Sequence, residues 1–296
     1  TSDRIIAFAI SDGDSTSTAV TRTVSVAPVN DVAVLTSVEG TSLAYSENGI
    51  AVMVSASIAV AELDSLTDAN LDSATVTITS GLTDGDVLAY SGSDAGITAE
   101  YVAGSGELTL SGSVLVSAWE TALRAVTYSS SSEDPTGTQT SADRVVTFVI
   151  SDGDLTSSAV TRTVTVTPVN DVPVLSDVEM GALAYTENDN ATYVSTTIAV
   201  SDIDQLTDPN LDTATVTIST GMNVGDVLAY SVNGSGVTAA YDATTGTLSL
   251  AGSVSVADWQ AALRAVTFSS WSEDPTGMHR WSIRTVSFVI SDGDLT

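Results

Sequence analysis

The feature that most constrains this sequence is an internal repeat with a period of 140 residues. Residues 1–31 and 141–171 are identical at 21 of 31 positions. The match extends to "WETALRAVTYSSSSEDPTG" (119–137) and "WQAALRAVTFSSWSEDPTG" (259–277), and a third copy begins in the last residues of the chain. A repeat of this length predicts a tandem array of similar domains rather than one large domain.

The segment "PVND", at 28–31 and 168–171, divides the repeats. On this division, residues 1–31 are the C-terminal hairpin of a preceding repeat. Residues 32–171 are a complete repeat, and residues 172–296 are a repeat without its last strand. The chain begins inside a strand pattern, so we expect it to be a piece of something longer.

Alternating residues within each repeat predict β-strands. "SATVTIT" (73–79) and "VVTFVIS" (145–151) place apolar residues at every second position, the period of a half-buried strand. The "SDGD" between two such segments predicts a hairpin turn. Only "VSAWETAL" (116–123) and "VADWQAAL" (256–263) have helical spacing. They predict one short helix per repeat, with its tryptophan in the core.

Composition excludes several classes of site. The chain has no cysteine and a single histidine, His279, which excludes disulfides, cysteine nucleophiles and Cys/His zinc sites. No apolar run approaches the roughly 18 residues that a membrane-spanning helix needs. There are 37 acidic residues against eight basic ones, all arginine, and a formal net charge of -29 argues against nucleic-acid binding. These acids either form a solvated surface, as in salt-adapted secreted proteins, or converge on metal ions.

The segment "VISDGDLTSSAVTRTVTVTPVNDVPVL" (149–175) resembles the end of a cadherin repeat running into its linker. The closest resemblance is to the cadherin-like tandem repeats of large bacterial surface proteins and RTX-type adhesins, and to the related chondroitin-sulfate-proteoglycan repeats. The "ALRAVTYSS" (122–130) block is also similar to those bacterial repeats. The resemblance implies an all-β chain of tandem cadherin-like, Ig-like Greek-key sandwiches, located outside the cell or on its surface.

The resemblance also implies calcium between successive repeats and identifies the residues that would bind it. They are the linker pairs, the glutamate near the first strand, the Asp-x-Asp of the following repeat with a nearby asparagine, a loop acidic pair and the first Asp of "SDGD". In this sequence they are Asn30, Asp31, Asn170, Asp171, Glu47, Glu187, Glu62, Asp64, Asp202, Asp204, Asn70, Asn210, Glu133, Asp134, Glu273, Asp274, Asp152 and Asp292.

A physical argument accompanies the resemblance. Calcium takes six to eight oxygen ligands, which two facing domain ends supply more readily than one surface. Carboxylates about 4 Å apart repel by roughly 4 kcal/mol at an effective dielectric constant near 20, so such a cluster must bind a cation or splay. Two alternatives stay open at this point: the linker Asn-Asp binds metal or only forms a turn, and "SDGD" binds metal or only closes a hairpin.

Three functions compete. The first is a calcium-rigidified spacer or adhesion module of a long extracellular bacterial surface protein or fibre. The second is a carbohydrate- or protein-binding adhesin module, for which the asymmetric Trp271 and Trp281 are candidates, since Ser131 and Ser141 occupy those positions in the first repeat. We do not expect an enzyme, because nearly every notable acid occurs once per repeat and no nucleophile or phosphate-binding motif is present.

The expected partners are neighbouring repeats of the same chain. A further candidate is another copy of the chain. The last repeat has no counterpart of strand 159–167, while residues 19–27 are a spare copy of it, and an open sheet edge invites strand addition.

Overall fold

The structure is a computed structural model that describes residues 2–63, 69–93, 96–137, 139–231, 236–276 and 282–294. The described residues form β-sheets with two short helices, arranged as an N-terminal hairpin followed by two β-sandwiches. The predicted all-β fold class is confirmed. The described residues contain no helix long and apolar enough to cross a bilayer.

The N-terminal hairpin and the first sandwich make up the first half of the structure. The hairpin consists of β1 (Ser2–Phe8) and β2 (Val20–Val26), which pair antiparallel. The elements of the first sandwich are β3 (Val34–Thr36), β4 (Leu43–Ser46), β5 (Val52–Met53), β6 (Ala59–Ala61), β7 (Asn70–Ser80), β8 (Asp86–Tyr90), β9 (Thr98–Val102), β10 (Glu107–Leu115), α1 (Val116–Arg124), β11 (Val126–Ser130), β12 (Ala142–Ser151) and β13 (Val160–Thr167).

The second sandwich repeats most of these elements. They are β14 (Val174–Ser176), β15 (Thr192–Tyr193), β16 (Ala199–Ser201), β17 (Asn210–Thr220), β18 (Asp226–Ala229), β19 (Thr238–Asp242), β20 (Thr247–Ser255), α2 (Val256–Arg264), β21 (Thr267–Ser270) and β22 (Thr285–Ser291).

The core of the first sandwich lies between a large sheet, in the order β4-β13-β12-β7-β10-β9, and a small sheet, in the order β5-β11-β8. Strand β7 shows why these sequences form strands. Val76 and Ile78 are buried, while Thr75 and Thr77, which alternate with them, are half-exposed, as a two-residue period requires.

Each helix closes its sandwich with a buried tryptophan. Trp119 in α1 and Trp259 in α2 are fully buried. The indole Nε1 of Trp119 donates to the Leu71 carbonyl at 2.7 Å, and that of Trp259 donates to the Leu211 carbonyl at 2.6 Å. The predicted helices and the predicted core position of their tryptophans are confirmed.

The two sandwiches differ at two neighbouring strands among the described residues. In the first, β13 lies between β12 and β4, antiparallel to the former and parallel to the latter. In the second, no described strand pairs with β22 on that side, and residues 183–186, the counterpart of β4, form no strand. The β4 position therefore depends on a neighbouring strand, because its sequence is nearly unchanged between the repeats.

A buried ion pair joins the sheets of each sandwich. In the first, Arg144 Nε donates to Asp86 Oδ2 at 2.8 Å, and both side chains are at most 1% exposed. The Tyr128 hydroxyl donates to Asp86 Oδ1 at 2.7 Å. In the second, Arg284 pairs with Asp226 at the same distance but is 11% exposed. Removing one buried charge leaves its partner uncompensated, which is more costly than the pair itself is stabilising.

We therefore expect Asp86→Asn to lower the free energy of unfolding of the first sandwich by about 3–5 kcal/mol, because the Arg144 guanidinium would stay buried without its counter-charge. Asp226→Asn is the matched control and should cost less, since water reaches Arg284. Calorimetric unfolding of both variants measures the difference. Equal losses, or no loss for Asp86→Asn, would contradict this assignment.

A second charged cluster fixes the loop before β6. Glu39 accepts hydrogen bonds from Ser55 Oγ at 2.6 Å and from the Ala56 amide at 2.9 Å, and it pairs with Arg162 Nη1 at 2.8 Å. Partial burial raises the pKa of Glu39, but the hydrogen bonds and the charge of Arg162 outweigh it and bring the pKa to about 2. Glu39 therefore stabilises the fold in its ionised form.

The lowered pKa of Glu39 makes the stability of the fold depend on pH in a defined direction. Because the folded pKa lies below the ordinary value of 4.5, the contribution of Glu39 is fully present above that pH and is lost as pH falls towards about 2. Glu39→Gln should thus unfold at a lower temperature than the original protein near neutral pH, and the gap should close in acid. Thermal unfolding across that range tests this, and a gap independent of pH would refute it.

Candidate metal centre

The linker between the sandwiches donates hydrogen bonds to both of them, two from its backbone and one from a side chain. On the first sandwich, the Val169 amide donates to Glu47 Oε2 at 2.8 Å. On the second, the Asp171 amide donates to Asp204 Oδ2 at 2.6 Å, and Asn170 Nδ2 donates to Asp292 Oδ2 at 2.7 Å. Alternate residues of one short linker thus hold carboxylates from opposite sides.

Three carboxylates meet at this linker. Glu47 follows β4, Glu133 lies in the loop after β11, and Asp171 lies in the linker itself. One carboxylate oxygen of each lies within 4.8 Å of the others. Glu47 Oε1 and Asp171 Oδ2 are buried and have no hydrogen-bond partner among the described residues. These three carboxylates could hold a metal ion, and we call the group the junction cluster.

The junction cluster is electrostatically strained. Burial raises the pKa of Glu47, the hydrogen bond from Val169 opposes this, and the charges of Asp171, Asp204 and Glu133 raise the pKa further. Burial likewise raises the pKa of Asp171, and the charges of Asp204 and Glu133 add to the effect. Without a cation, these groups are therefore harder to ionise in the folded state than in water.

The adjacent end of the second sandwich extends the acidic surface. Asp202, Asp204 and Asp292 are all buried, and Asp202 Oδ1 accepts from the Asp204 amide at 2.9 Å. Burial raises the pKa of Asp202, and the charges of Asp204, Asp292 and Asp208 raise it further. Oxygen atoms of the second sandwich therefore lie close to those that the first sandwich and the linker supply.

The start of the first sandwich repeats part of this arrangement. Asn30 Nδ2 donates to Asp152 Oδ2 at 3.0 Å, as Asn170 does to Asp292. Asp31 in that linker is exposed and Glu62 is half-buried. Asp64, predicted as a ligand beside Glu62, lies outside the described residues.

The other predicted ligands have varied surroundings, and their role in metal binding stays a prediction. Asp134 Oδ1 accepts from the Gly137 amide at 2.7 Å, so this residue closes its own loop. Asn70 and Asn210 begin β7 and β17, opposite Leu115 and Ser255. Glu187, Glu273 and Asp274, the counterparts of Glu47, Glu133 and Asp134 in the second repeat, are exposed.

Of the two interpretations of "SDGD", the structure shows the hairpin turn, and metal binding stays a prediction. Asp152 Oδ1 accepts from the amides of Asp154 and Leu155 at 2.9 and 2.7 Å, which forms the predicted hairpin turn. Its other oxygen contacts the linker residue Asn30. The turn thus orients one carboxylate oxygen towards the linker.

Two residues at the junction were not among the predicted ligands. Asn48 adopts a left-handed backbone, with φ of 55°, and donates from Nδ2 to Glu133 Oε2 at 3.1 Å. Asp208 contributes charge beside Asp202, and its amide donates to the Asp204 carbonyl at 2.7 Å. The only sequence signal for either was its position next to a predicted ligand, in "SEN" and "DPN".

The junction cluster fits a calcium ion by its donor set. Its available atoms are carboxylate oxygens, the hard ligands that Ca²⁺ takes in a tolerant geometry. Buried oxygen atoms without donors need either a proton or a cation, and the cluster has two of them at one point. Nothing in it resembles the nitrogen and sulfur ligands that zinc prefers.

Comparisons with known proteins give only distant likenesses. No protein-family model matches the sequence, and a search of curated proteins found no match either. Among solved structures, extracellular cadherin domains 3–6 of protocadherin gamma B2 are 15% identical, with a TM-score of 0.29 over 85% of this chain and 49% of that one. The C-terminal domain of the Streptococcus agalactiae AgI/II polypeptide BspA is 12% identical, with a TM-score of 0.21 over 70% and 75%.

An endo-fucoidan hydrolase of glycoside hydrolase family 107 is 11% identical, with a TM-score of 0.18 over 86% of this chain and 30% of that one. The chain spans about half the length of the protocadherin gamma B2 structure. Likenesses at this level carry no argument about function, which must come from the geometry.

The strain in the junction cluster has a measurable consequence. In metal-free buffer at neutral pH, Glu47→Gln should raise the free energy of unfolding by roughly 1 kcal/mol, because it removes a buried charge but keeps an oxygen for the Val169 amide. Thermal unfolding in chelator measures it. Glu187→Gln, at an exposed counterpart, is the matched control and should have no effect. A loss of stability in Glu47→Gln without metal would contradict the assignment.

Proposed function

We propose that this chain is a spacer whose β-sandwiches are fixed end to end by calcium, in a long extracellular adhesin or surface fibre. The observation that supports it is a pair of buried carboxylate oxygens that accept no hydrogen bond from the described residues. They are Glu47 Oε1 from the first sandwich and Asp171 Oδ2 from the linker, and the charge of Asp204 from the second sandwich acts on both residues. A cation there would bridge all three parts of the chain.

The ligands of the proposed site come from three segments. Glu47 and Glu133 would bind from the first sandwich, Asp171 from the linker, and Asp202 and Asp204 from the second sandwich. Calcium would supply the positive charge that these carboxylates lack, and the residues themselves would position the linker through their hydrogen bonds. A hinge between the sandwiches would then become a rigid joint.

The proposed location is outside the cell. Extracellular calcium modules bind with dissociation constants of about 10⁻⁴–10⁻³ M, a range suited to calcium-rich surroundings. The net charge of -29 keeps such a chain soluble, but it also opposes compaction unless cations neutralise part of it. Under this proposal the chain is not an enzyme. Its partners are the neighbouring repeats of the same chain.

A second candidate function is recognition of a carbohydrate or protein. Trp271, which replaces Ser131 of the first repeat, is 68% exposed. Its companion Trp281 lies outside the described residues. A glycan array compares the original chain with Trp271→Ser. Binding that this substitution abolishes would support recognition, while equal inertness would remove this candidate.

The calcium proposal predicts that the effect of Glu47→Gln on the free energy of unfolding changes sign between chelator and calcium. Calcium at about 100 times its dissociation constant should stabilise the original protein by about 2.7 kcal/mol. Glu47→Gln and Asp171→Asn should lose most of this gain, although the former is the more stable protein in chelator. Glu187→Gln should keep the gain. Thermal unfolding with calcium and with chelator measures all four proteins.

Small-angle scattering of the same samples tests rigidity. We expect a longer and less variable particle when calcium is added to the original protein, and no change for Asp171→Asn. Identical scattering and unfolding curves with calcium and with chelator would rule out the calcium-fixed joint.

A further inference from the structure

The two carboxylates that the first sandwich contributes to the junction cluster lie on separate connections. Glu47 lies in the turn after β4, and Glu133 lies in the loop after β11. An oxygen of one lies within 4.8 Å of an oxygen of the other. The charge of Glu133 raises the pKa of Glu47, so the two groups repel when both are ionised. The contacts that hold the two segments together must therefore outweigh this repulsion.

One hydroxyl group connects the two segments. Tyr45 is buried in β4, and its hydroxyl lies 2.9 Å from the Gly49 carbonyl and 3.1 Å from the Ser130 carbonyl, to which it can donate. The same hydroxyl accepts from the Ser130 amide at 3.0 Å. Gly49 directly follows the turn that carries Glu47, and Ser130 ends β11 before the loop that carries Glu133. A single side chain thus joins the backbones beside both carboxylates.

A guanidinium group holds the same loop at a second point. Arg144 Nη2 donates to the Pro135 carbonyl at 2.7 Å, while its Nε donates to the buried Asp86 at 2.8 Å. Tyr45 holds the loop where it leaves β11, and Glu133 lies between these two points. The buried ion pair of the first sandwich therefore also fixes the backbone beside a proposed calcium ligand.

A third contact reaches the carboxylate itself. Asn48 directly follows Glu47 in the turn and donates from Nδ2 to Glu133 Oε2 at 3.1 Å. Its left-handed backbone, with φ of 55°, is a conformation that asparagine adopts more readily than most residues. The turn that carries one proposed ligand thereby orients the other.

We propose that Tyr45 and Arg144 are positioning residues for the calcium site, and that they hold Glu133 beside Glu47 before an ion binds. This inference rests on the proposed calcium function. Ligands that are already held in place lose less conformational freedom on binding, so their preorganisation raises the affinity. Tyr45 and Arg144 act through the backbones of the turn and the loop rather than as ligands.

The second sandwich contains the same contacts and supplies matched controls. The Tyr185 hydroxyl accepts from the Ser270 amide at 3.1 Å, and Arg284 Nη2 donates to the Pro275 carbonyl at 2.7 Å. The acidic residues on the segments that these side chains connect are exposed and do not belong to the junction cluster. Substitutions of Tyr185 and Arg284 should therefore affect folding without affecting calcium at the junction.

Calcium binding to Tyr45→Phe tests the positioning role. This substitution removes the hydroxyl but keeps the ring, which packs edge-on against Tyr128 with the centroids 5.0 Å apart. Isothermal titration calorimetry well below the unfolding temperature should show about fivefold to tenfold weaker binding in the step that Asp171→Asn abolishes. Tyr185→Phe should also lower thermal stability in chelator but keep the original affinity. A purely structural role would leave the affinity unchanged in both variants.

Hydrogen exchange in chelator tests the positioning without calcium. Tyr45→Phe should speed exchange of the amides in residues 130–137 by about tenfold, because the loop opens more often when one of its contacts is lost. Tyr185→Phe should do so only in residues 270–276. Arg144→Lys keeps a positive charge beside Asp86 but cannot reproduce the forked contacts of a guanidinium, so it should also speed exchange in 130–137. Arg284→Lys is its control.

The outcomes separate this inference from the proposed function. Unchanged exchange in residues 130–137 of both Tyr45→Phe and Arg144→Lys would overturn the positioning role, even if the original protein binds calcium. Faster exchange with an unchanged calcium affinity would also overturn it, and would leave the proposed function intact. An original protein that binds no calcium would overturn the proposed function, and the positioning role in calcium binding with it, whatever the exchange rates are.

Discussion

The structure depends on like charges that its backbone prevents from separating. Glu47 is fixed by the Val169 amide and Asp204 by the Asp171 amide, two donors of the same short linker. Carboxylates on a free surface would turn away from one another, at little cost. Here turning away would break the hydrogen bonds that position the linker, so the repulsion must be met by protons or by a cation. The arrangement of the two sandwiches is thereby linked to the ionic state of one small cluster.

Sequence was sufficient where the deciding interactions are local or recur with the repeat. The period-two pattern predicted strands such as β7, and helical spacing predicted α1 with Trp119 in the core. The pairing of Asn30 with Asp152 recurs as Asn170 with Asp292, and all four residues belong to the predicted ligand set. The resemblance to cadherin linkers had brought Glu47, Glu133 and Asp171 into one predicted ligand set, and the structure places them together. Whether they bind calcium stays a prediction.

The rest could not be predicted because it depends on register or on competition within a loop. Asp86 and Arg144 form a hydrogen bond although 58 residues separate them in sequence, and no pattern in either segment predicts this pairing. Asp134 was a predicted ligand, and the hydrogen bond that its Oδ1 accepts from the Gly137 amide depends on the conformation of its own loop. Identical segments also differ in structure: "LAY" lies in strand β4 at 43–45, paired with β13, and in no strand at 183–185.

The linker is the segment through which the charge of the junction cluster would act on the angle between the sandwiches. Only residues 168–173 separate β13 from β14, and prolines at both ends lack the amide hydrogen that a sheet would use. Of the amides that remain, those of Val169 and Asp171 donate to carboxylates of opposite sandwiches. The linker thus forms no helix or strand that would fix its conformation independently. Its backbone is held by carboxylates of both sandwiches, and under the proposed function a cation that neutralises them would fix the angle between the sandwiches.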